Sequence, residues 1–334
     1  MELGFVSVAG GRASRRVAEL RARCETLVRE VDRPYPRALL TVIEGNIANL
    51  AGRFAESHAH CVAAQQQLRE HCTGVTWELE LAQLYELHSL SHLGRWSELA
   101  RRAQLILADA RERRNNLLAT YIRTRILFIP FLAADDPDQA REEQDRSLEG
   151  WSGRGFQLQH YWNWYARTCI DLYAGDAGAA WERLSREWRA YRLSFLSGTD
   201  ALLVGVLALR ARVAMVLALE TTGGRRDGFV RRAVRDVRRL ERFQLPWAAV
   251  QATVARAGIA SIRGNTELAR ALLVSGAEAL GAEGLAAEQA AARWHLAQAG
   301  NREAEGGLTV SWMEQEGIRN PGRLARMLVP MDRP

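Results

Sequence analysis

No lysine occurs in this chain: all 45 basic residues are arginine. A P-loop needs its Lys, a protein kinase needs its strand Lys, and a Schiff-base enzyme needs a Lys amine. The absence excludes all three chemistries for this chain. Cysteine is scarce too. Cys24, Cys61, Cys72 and Cys169 are scattered over 334 residues, which is no disulfide framework and fits small buried hydrophobes in a reducing compartment. No apolar run reaches the roughly 18–20 residues a bilayer crossing needs; the best candidate, Ala201 to Leu219, is interrupted by Arg210 and Arg212. Met1-Glu2-Leu3-Gly4 carries no basic stretch ahead of an apolar core, so no secretory signal is read there and a cytoplasmic location is expected. Sustained strict alternation and β-hairpin dipeptides between β-branched runs are missing, which argues against strands. The eight prolines sit mostly at segment ends, as at Pro34, Pro36, Pro246, Pro321 and Pro330. Pro130 is the exception: it lies inside an expected Thr120–Ala133 helix and should kink or break it.

What is present is self-similar. A helical stretch, a Gly or Asp turn and a second helical stretch recur. Turn positions 52, 94, 135, 175, 224, 264 and 300 are spaced by 42, 41, 40, 49, 40 and 36, a period of about 40 residues. Gly supplies the left-handed residue that ends a helix, and the Asn or Asp that follows can cap the next one. Between turns the apolar residues have helical spacing: Leu81, Leu84, Tyr85, Leu87 and Leu90, then Tyr161, Trp162, Tyr165, Cys169 and Leu172. The fold expected is all-α, a right-handed superhelix of about seven helix–turn–helix repeats. Residues 1–33 read as a truncated first repeat, 34–300 as the array and 301–334 as capping helices, with Asn320 an N-cap and Pro321 the first helical residue. The Ser14–Val31 helix, lacking its partner, should expose Val17, Leu20, Cys24, Leu27 and Val28 next to the short apolar Met1–Ala9 segment, a patch suited to self-association or to docking an upstream domain.

Several stretches resemble the C-terminal tetratricopeptide-like (TPR-like) tail of large bacterial, myxobacterial-type serine/threonine protein kinase–AAA ATPase fusion proteins. They are Glu70-His71-Cys72-Thr73-Gly74-Val75-Thr76-Trp77-Glu78-Leu79, Leu93 to Ala103, Ala133 to Leu184 with its Gly155-Phe156-Gln157-Leu158-Gln159-His160-Tyr161, and Gly317-Ile318-Arg319-Asn320-Pro321. The resemblance implies a regulatory or sensory tail, either a fragment of such a protein or a stand-alone adaptor descended from one, with the kinase and ATPase domains of the parent as possible partners. No Gly-x-Gly-x-x-Gly loop, His-Arg-Asp or Asp-Phe-Gly occurs, so kinase activity would belong to the parent. No catalytic residue, cofactor or metal is expected, nor a hydrolase, since no Gly-x-Ser-x-Gly elbow is present.

Three groupings carry alternatives. His58, His60, Cys61, His71, Cys72, His88 and His92 are dense, and His88 and His92 share a helix face, a spacing that can chelate a metal; position 89 is Ser, no Cys-x-x-Cys exists, and ordinary polar or core positions are the reading adopted. The aromatics His160, Tyr161, Trp162, Trp164 and Tyr165, with Trp181, Trp188 and Tyr191, read as packing between helices or as an exposed surface for a peptide. Arg231, Arg235, Arg238 and Arg242 form one helix face, within the run Arg225 to Arg242. They read as a solvated outer surface, or as a grip on an acidic protein, a nucleotide or nucleic acid. A net charge of +6 with 39 acidic residues interspersed does not favour nucleic acid.

A protein or peptide in the concave groove is the partner expected. Counted eight residues back from the turns, the first helices carry Glu44, Glu86, Arg167 and Arg256, with His88, Asn163 and Asp171 at neighbouring registers. Polar residues at one repeated register among apolar neighbours suggest a solvent-facing stripe.

Overall fold

The computed structural model describes residues 14–151, 154–300 and 303–332. Among these the chain is helical, with no strand. Helix α1 (Ser14–Val31) is followed by seven helical hairpins: α2 and α3 (Pro34–Leu50, Phe54–His71), α4 and α5 (Thr76–His92, Trp96–Glu112), the split arm α6 and α7 with α8 (Asn116–Arg125, Phe128–Ala133, Pro137–Arg146), α9 and α10 (Leu158–Ala174, Ala177–Leu193), α11 and α12 (Asp200–Glu220, Gly223–Leu240), α13 and α14 (Pro246–Ile262, Thr266–Ala282), α15 and α16 (Ala286–Gly300, Glu303–Gln315). Helix α17 (Pro321–Leu328) closes the described chain. The arrangement is consistent with an α-solenoid.

Five of the expected turns stand where spacing placed them, whereas Gly224 lies inside α12 and Thr221 and Thr222 make the connection there. Gly52, Gly94, Gly175 and Gly264 have φ of 83°, 70°, 87° and 78°, and Asp135 fills the same role at 56°. Asp136, Asp176 and Asn265 cap the helices that follow, accepting from the backbone N–H three residues on at 3.0, 2.9 and 3.1 Å. The turn expected around Gly300 runs into residues outside those described. Pro130 breaks its helix where its ring would meet a carbonyl four residues back: the chain leaves helical geometry at Ile126, and Pro130 sits in the first turn of α7. Asn320 caps α17 at 3.1 Å, with Pro321 as its first residue.

First helices pack on first helices, and each second helix packs against its own first helix and the next one. Burial follows. Helices α9, α11 and α13 are covered on most sides, whereas α12 buries only Val230, Ala233, Asp236, Val237 and Leu240. Contrary to the sequence expectation, α11 is long and apolar enough to cross a membrane by length and composition, though 78% of that window is buried inside the fold. Its arginines are tied to neighbours: Arg210 lies over Trp188 at 3.9 Å, and Arg212 donates to Gln251 Oε1 at 2.8 Å. A helix apolar on all sides is a core helix in such a setting.

The ends of the array meet its other parts. A Cβ on Gly52 would fall 2.3 Å from Trp247 Cδ1, and one on Gly94 would fall 3.0 Å from Ala286 Cβ. Arg319 N–H donates to the Ala133 carbonyl at 2.8 Å. Asp135 accepts from Tyr173 at 2.8 Å, Asn320 at 3.1 Å and Arg323 at 3.1 Å. Helix α17, expected as a cap on the last repeat, thus also packs on α9 in the middle of the chain. At the other end, α1 is not left unpartnered. Leu20 is buried against Ile43, and Val17, Cys24 and Val28 are half-buried; of the expected exposed stripe only Leu27 is open, at 57% exposure. The Met1–Ala9 segment lies outside the described residues.

Candidate functional site

The polar register of the first helices does not form a solvent-facing stripe. Glu44, Glu86, Asn163 and Asp171 are buried, Arg167 is half-buried, and only Arg256 is exposed. The buried carboxylates act between helices. Glu86 Oε1 and Oε2 accept from Arg102 Nε and Nη2 at 2.7 Å each, and Gln65 Nε2 donates to Glu86 Oε2 at 2.7 Å. Asp171 Oδ2 accepts from Arg183 at 2.9 Å, and Glu44 pairs with Arg21 at 2.7 Å. Asn163 Nδ2 donates to the Gln144 carbonyl at 2.8 Å and to Ser147 Oγ at 2.9 Å. A polar residue amid apolar neighbours reads the same in sequence whether it faces water or an arginine on another helix. Here the second helices supply the arginines. At these positions, expected to face a partner, the protein's own side chains already fill the contacts.

His88 and His92 do come together, with ring centroids 4.8 Å apart. What surrounds them is aromatic: His92 stacks on Phe54 at 4.1 Å, and Trp162 and Trp247 lie 5.8 and 6.2 Å from His88 and His92. Arg125, 4% exposed, places its guanidinium over Trp162 at 4.4 Å and reaches His92 Nε2 at 3.4 Å. A guanidinium only donates, so Nε2 of His92 is the acceptor and the ring proton sits on Nδ1. His88 Nδ1 faces Asn49 Oδ1 at 2.6 Å. Burial, then the Arg125 charge, holds both imidazoles well below their ordinary pKa. Among the described residues no group of three potential metal ligands forms. Burial pushes Cys61 and Cys169 up to about 12, which makes them inert thiols. The aromatic group around Tyr161 is packing: Tyr161, Trp162, Trp164 and Tyr191 are all buried.

Among the surface clefts of the described residues, two gather residues singled out in the sequence. One, of about 260 Å³, is lined by Leu148, Phe156, His160, Asn163, Trp164, Arg167, Arg183, Arg186 and Glu187. It unites two sequence candidates, Asn163 and Arg167, and holds Arg183, the partner of a third, Asp171. Arg167 is bound there to Asp145 at 2.7 Å.

The larger cleft, about 650 Å³, lies along α12. Arg231, Arg235, Arg238, Arg239 and Arg242 line one side, Arg263 the other, and Val234 is the one uncharged residue. A second hollow of about 500 Å³ continues it, sharing Arg231 and Arg263, with Asp227 at its margin. Among the described residues none of these six arginines has a carboxylate within ion-pair distance. The nearby acids are engaged elsewhere: Asp236 with Arg210 at 3.4 Å, Glu241 with Arg256 at 2.6 Å. Like charges three or four apart on a helix cost about 0.2–0.5 kcal/mol each, and this row holds several such pairs. The face formed by Arg231, Arg235, Arg238 and Arg242 is legible from helical spacing. Arg263 is not: it joins the row because it immediately precedes the turn at Gly264, which the period sets beside the preceding second helix.

No protein-family model matches the chain, and no curated protein matches it.

Proposed function

We propose that this chain is a non-catalytic interaction scaffold, a right-handed superhelical array of about seven TPR-like hairpins. In this reading it serves as the regulatory or sensory tail of a bacterial kinase–ATPase signalling protein, or as an adaptor derived from such a tail. The observation that carries the reading is the cleft between α9 and α10. The half-buried Phe156 offers ring surface there, and Arg167, Arg183 and Arg186 offer donors, residue types enriched at protein interfaces. Burial keeps His160 at its edge below its ordinary pKa, so the ring is neutral at pH 7. The partner is a protein segment with an apolar anchor and a carboxylate, held in this cleft on the outer side of the first helices.

Arg167 and Arg186 are exposed enough to change without loss of the fold, with side chains 34% and 67% open. The double variant Arg167→Glu/Arg186→Glu should keep the helical circular dichroism of the parent and lose a defined protein captured from extract. Capture of the same proteins by both forms would contradict the assignment.

A further inference from the structure

We propose that the arginine cleft along α12 binds the phosphate backbone of a nucleic-acid duplex without reading its sequence. The inference is independent of the protein-binding cleft and rests on three observations. First, no carboxylate of the described residues pairs with the row: five arginines on one helix and Arg263 opposite them face a cleft of about 650 Å³, Asp236 and Glu241 are ion-paired with Arg210 and Arg256, and the buried Asp236 offsets only part of the charge of Arg235 and Arg239. A row of cations without carboxylate partners can neutralise phosphates and release the counter-ions condensed on the nucleic acid. Second, the cation is always guanidinium, whose planar fork matches two phosphate oxygens at once.

Third, the lining says what is not recognised. Val234 is its one uncharged residue. Proteins that hold single strands stack the bases on aromatic rings, and this cleft offers none. Base edges are told apart by acceptors as well as donors, and it offers no acceptor side chain. A carboxylate-bearing protein partner would want an apolar anchor, and one valine is a poor one. A duplex keeps its bases stacked on each other and turns only phosphates outward, which is all this surface can grip. From Arg231 to Arg242 the helix advances about 16 Å, at about 1.5 Å per residue. A duplex carries a phosphate about every 1.7 Å of axis over its two strands, so about ten lie along the row and about half of them, on the near side, face it. The adjoining hollow at Arg226 and Arg231 lets the duplex run on past the helix start.

The test uses the full chain and a labelled 20-base-pair DNA duplex in fluorescence anisotropy. We expect binding at 50 mM salt that weakens several hundredfold by 200 mM, since each phosphate contributes about −0.9 to the slope of log K against log salt. Duplexes of unrelated sequence should bind within about twofold of one another. The variant Arg235→Glu/Arg238→Glu/Arg242→Glu changes only exposed side chains, so it should keep its helicity and lose at least thirtyfold in affinity. Should it fail to fold, Arg263→Glu, at the exposed far wall, should lose severalfold on its own. Four results would overturn the proposal: no binding at 50 mM salt, equal binding by a folded triple variant, a single strand that competes better than the duplex, or poly-glutamate that displaces the duplex at equal charge.

Discussion

Arg125 and the row on α12 both lack carboxylate partners, and the fold treats them in opposite ways. Arg125 is buried, and neutral groups surround it: the Trp162 ring, Ser91 Oγ at 3.3 Å and an imidazole that its charge helps keep unprotonated. Its Nε finds no acceptor. Arg235, Arg238 and Arg242 are exposed, and no carboxylate of the described protein lies within ion-pair distance of them. A desolvated charge must be met locally or the helix pair comes apart. A solvated one costs little and stays available to a ligand. Polar residues inside this array are therefore structural, and both proposed binding surfaces are clefts on its exterior.

The largest effect that would sharpen this contrast comes from Glu86. In Glu86→Ala, Arg102 and Gln65 lose the carboxylate that joins them, and breaking such a buried pair costs about 3–5 kcal/mol. Arg256→Ala removes an exposed pair with Glu241 and should cost about 0–1 kcal/mol. Urea denaturation of the two variants measures both; similar losses would break the division between inside and outside. Next come the turns. Gly52→Ala meets left-handed backbone and the Trp247 ring together, about 2–4 kcal/mol. Gly264→Ala meets the same backbone in open space, about 1–2 kcal/mol. Equal melting points for these two would mean that the Gly52 turn does not pack on Trp247.

The pH dependence is smaller. The folded-state pKa of His88 and of His92 lies below the ordinary value, so the unfolded chain takes up protons first. Their contribution is full above about pH 6.5 and declines as pH falls below it. Asp135, whose burial is outweighed by hydrogen bonds from Asn320 and Tyr173 and by the Arg323 charge, has a lowered pKa. Its contribution is full above the ordinary carboxylate value and is lost as pH falls below about 4. Thermal melts from pH 8 to pH 3 should show both declines. His88→Gln/His92→Phe should flatten the first and leave the second, and Asp135→Asn the reverse.

Much of the fold was legible, because turns and caps are local. The left-handed glycines, the caps at Asp136, Asp176 and Asn265, the break before Pro130 and the helix after Asn320 follow from a few neighbouring residues. What sequence could not supply was which distant surface each element meets. Trp247 behind Gly52 and Asn320 on Asp135 lie far apart along the chain. The expected solvent-facing stripe failed for the same reason. Glu86 and Asp171 sit at a regular polar register, but Arg102 and Arg183, one helix away, decide that the register is a lock between helices. The α12 arginine face survived because period alone places it opposite Val230, Ala233 and Val237, which are buried.

Whether the α12 row is an anion site can be read from the melting temperature in sodium tripolyphosphate against sodium chloride at matched ionic strength. Tripolyphosphate should raise the melting temperature of the parent chain, because a ligand bound by the folded state stabilises it. Arg235→Gln/Arg238→Gln/Arg242→Gln should melt above the parent in dilute chloride, through lost repulsion, and should lose most of its response to tripolyphosphate. A parent chain indifferent to tripolyphosphate, or a triple variant that melts lower and responds as the parent does, would contradict it.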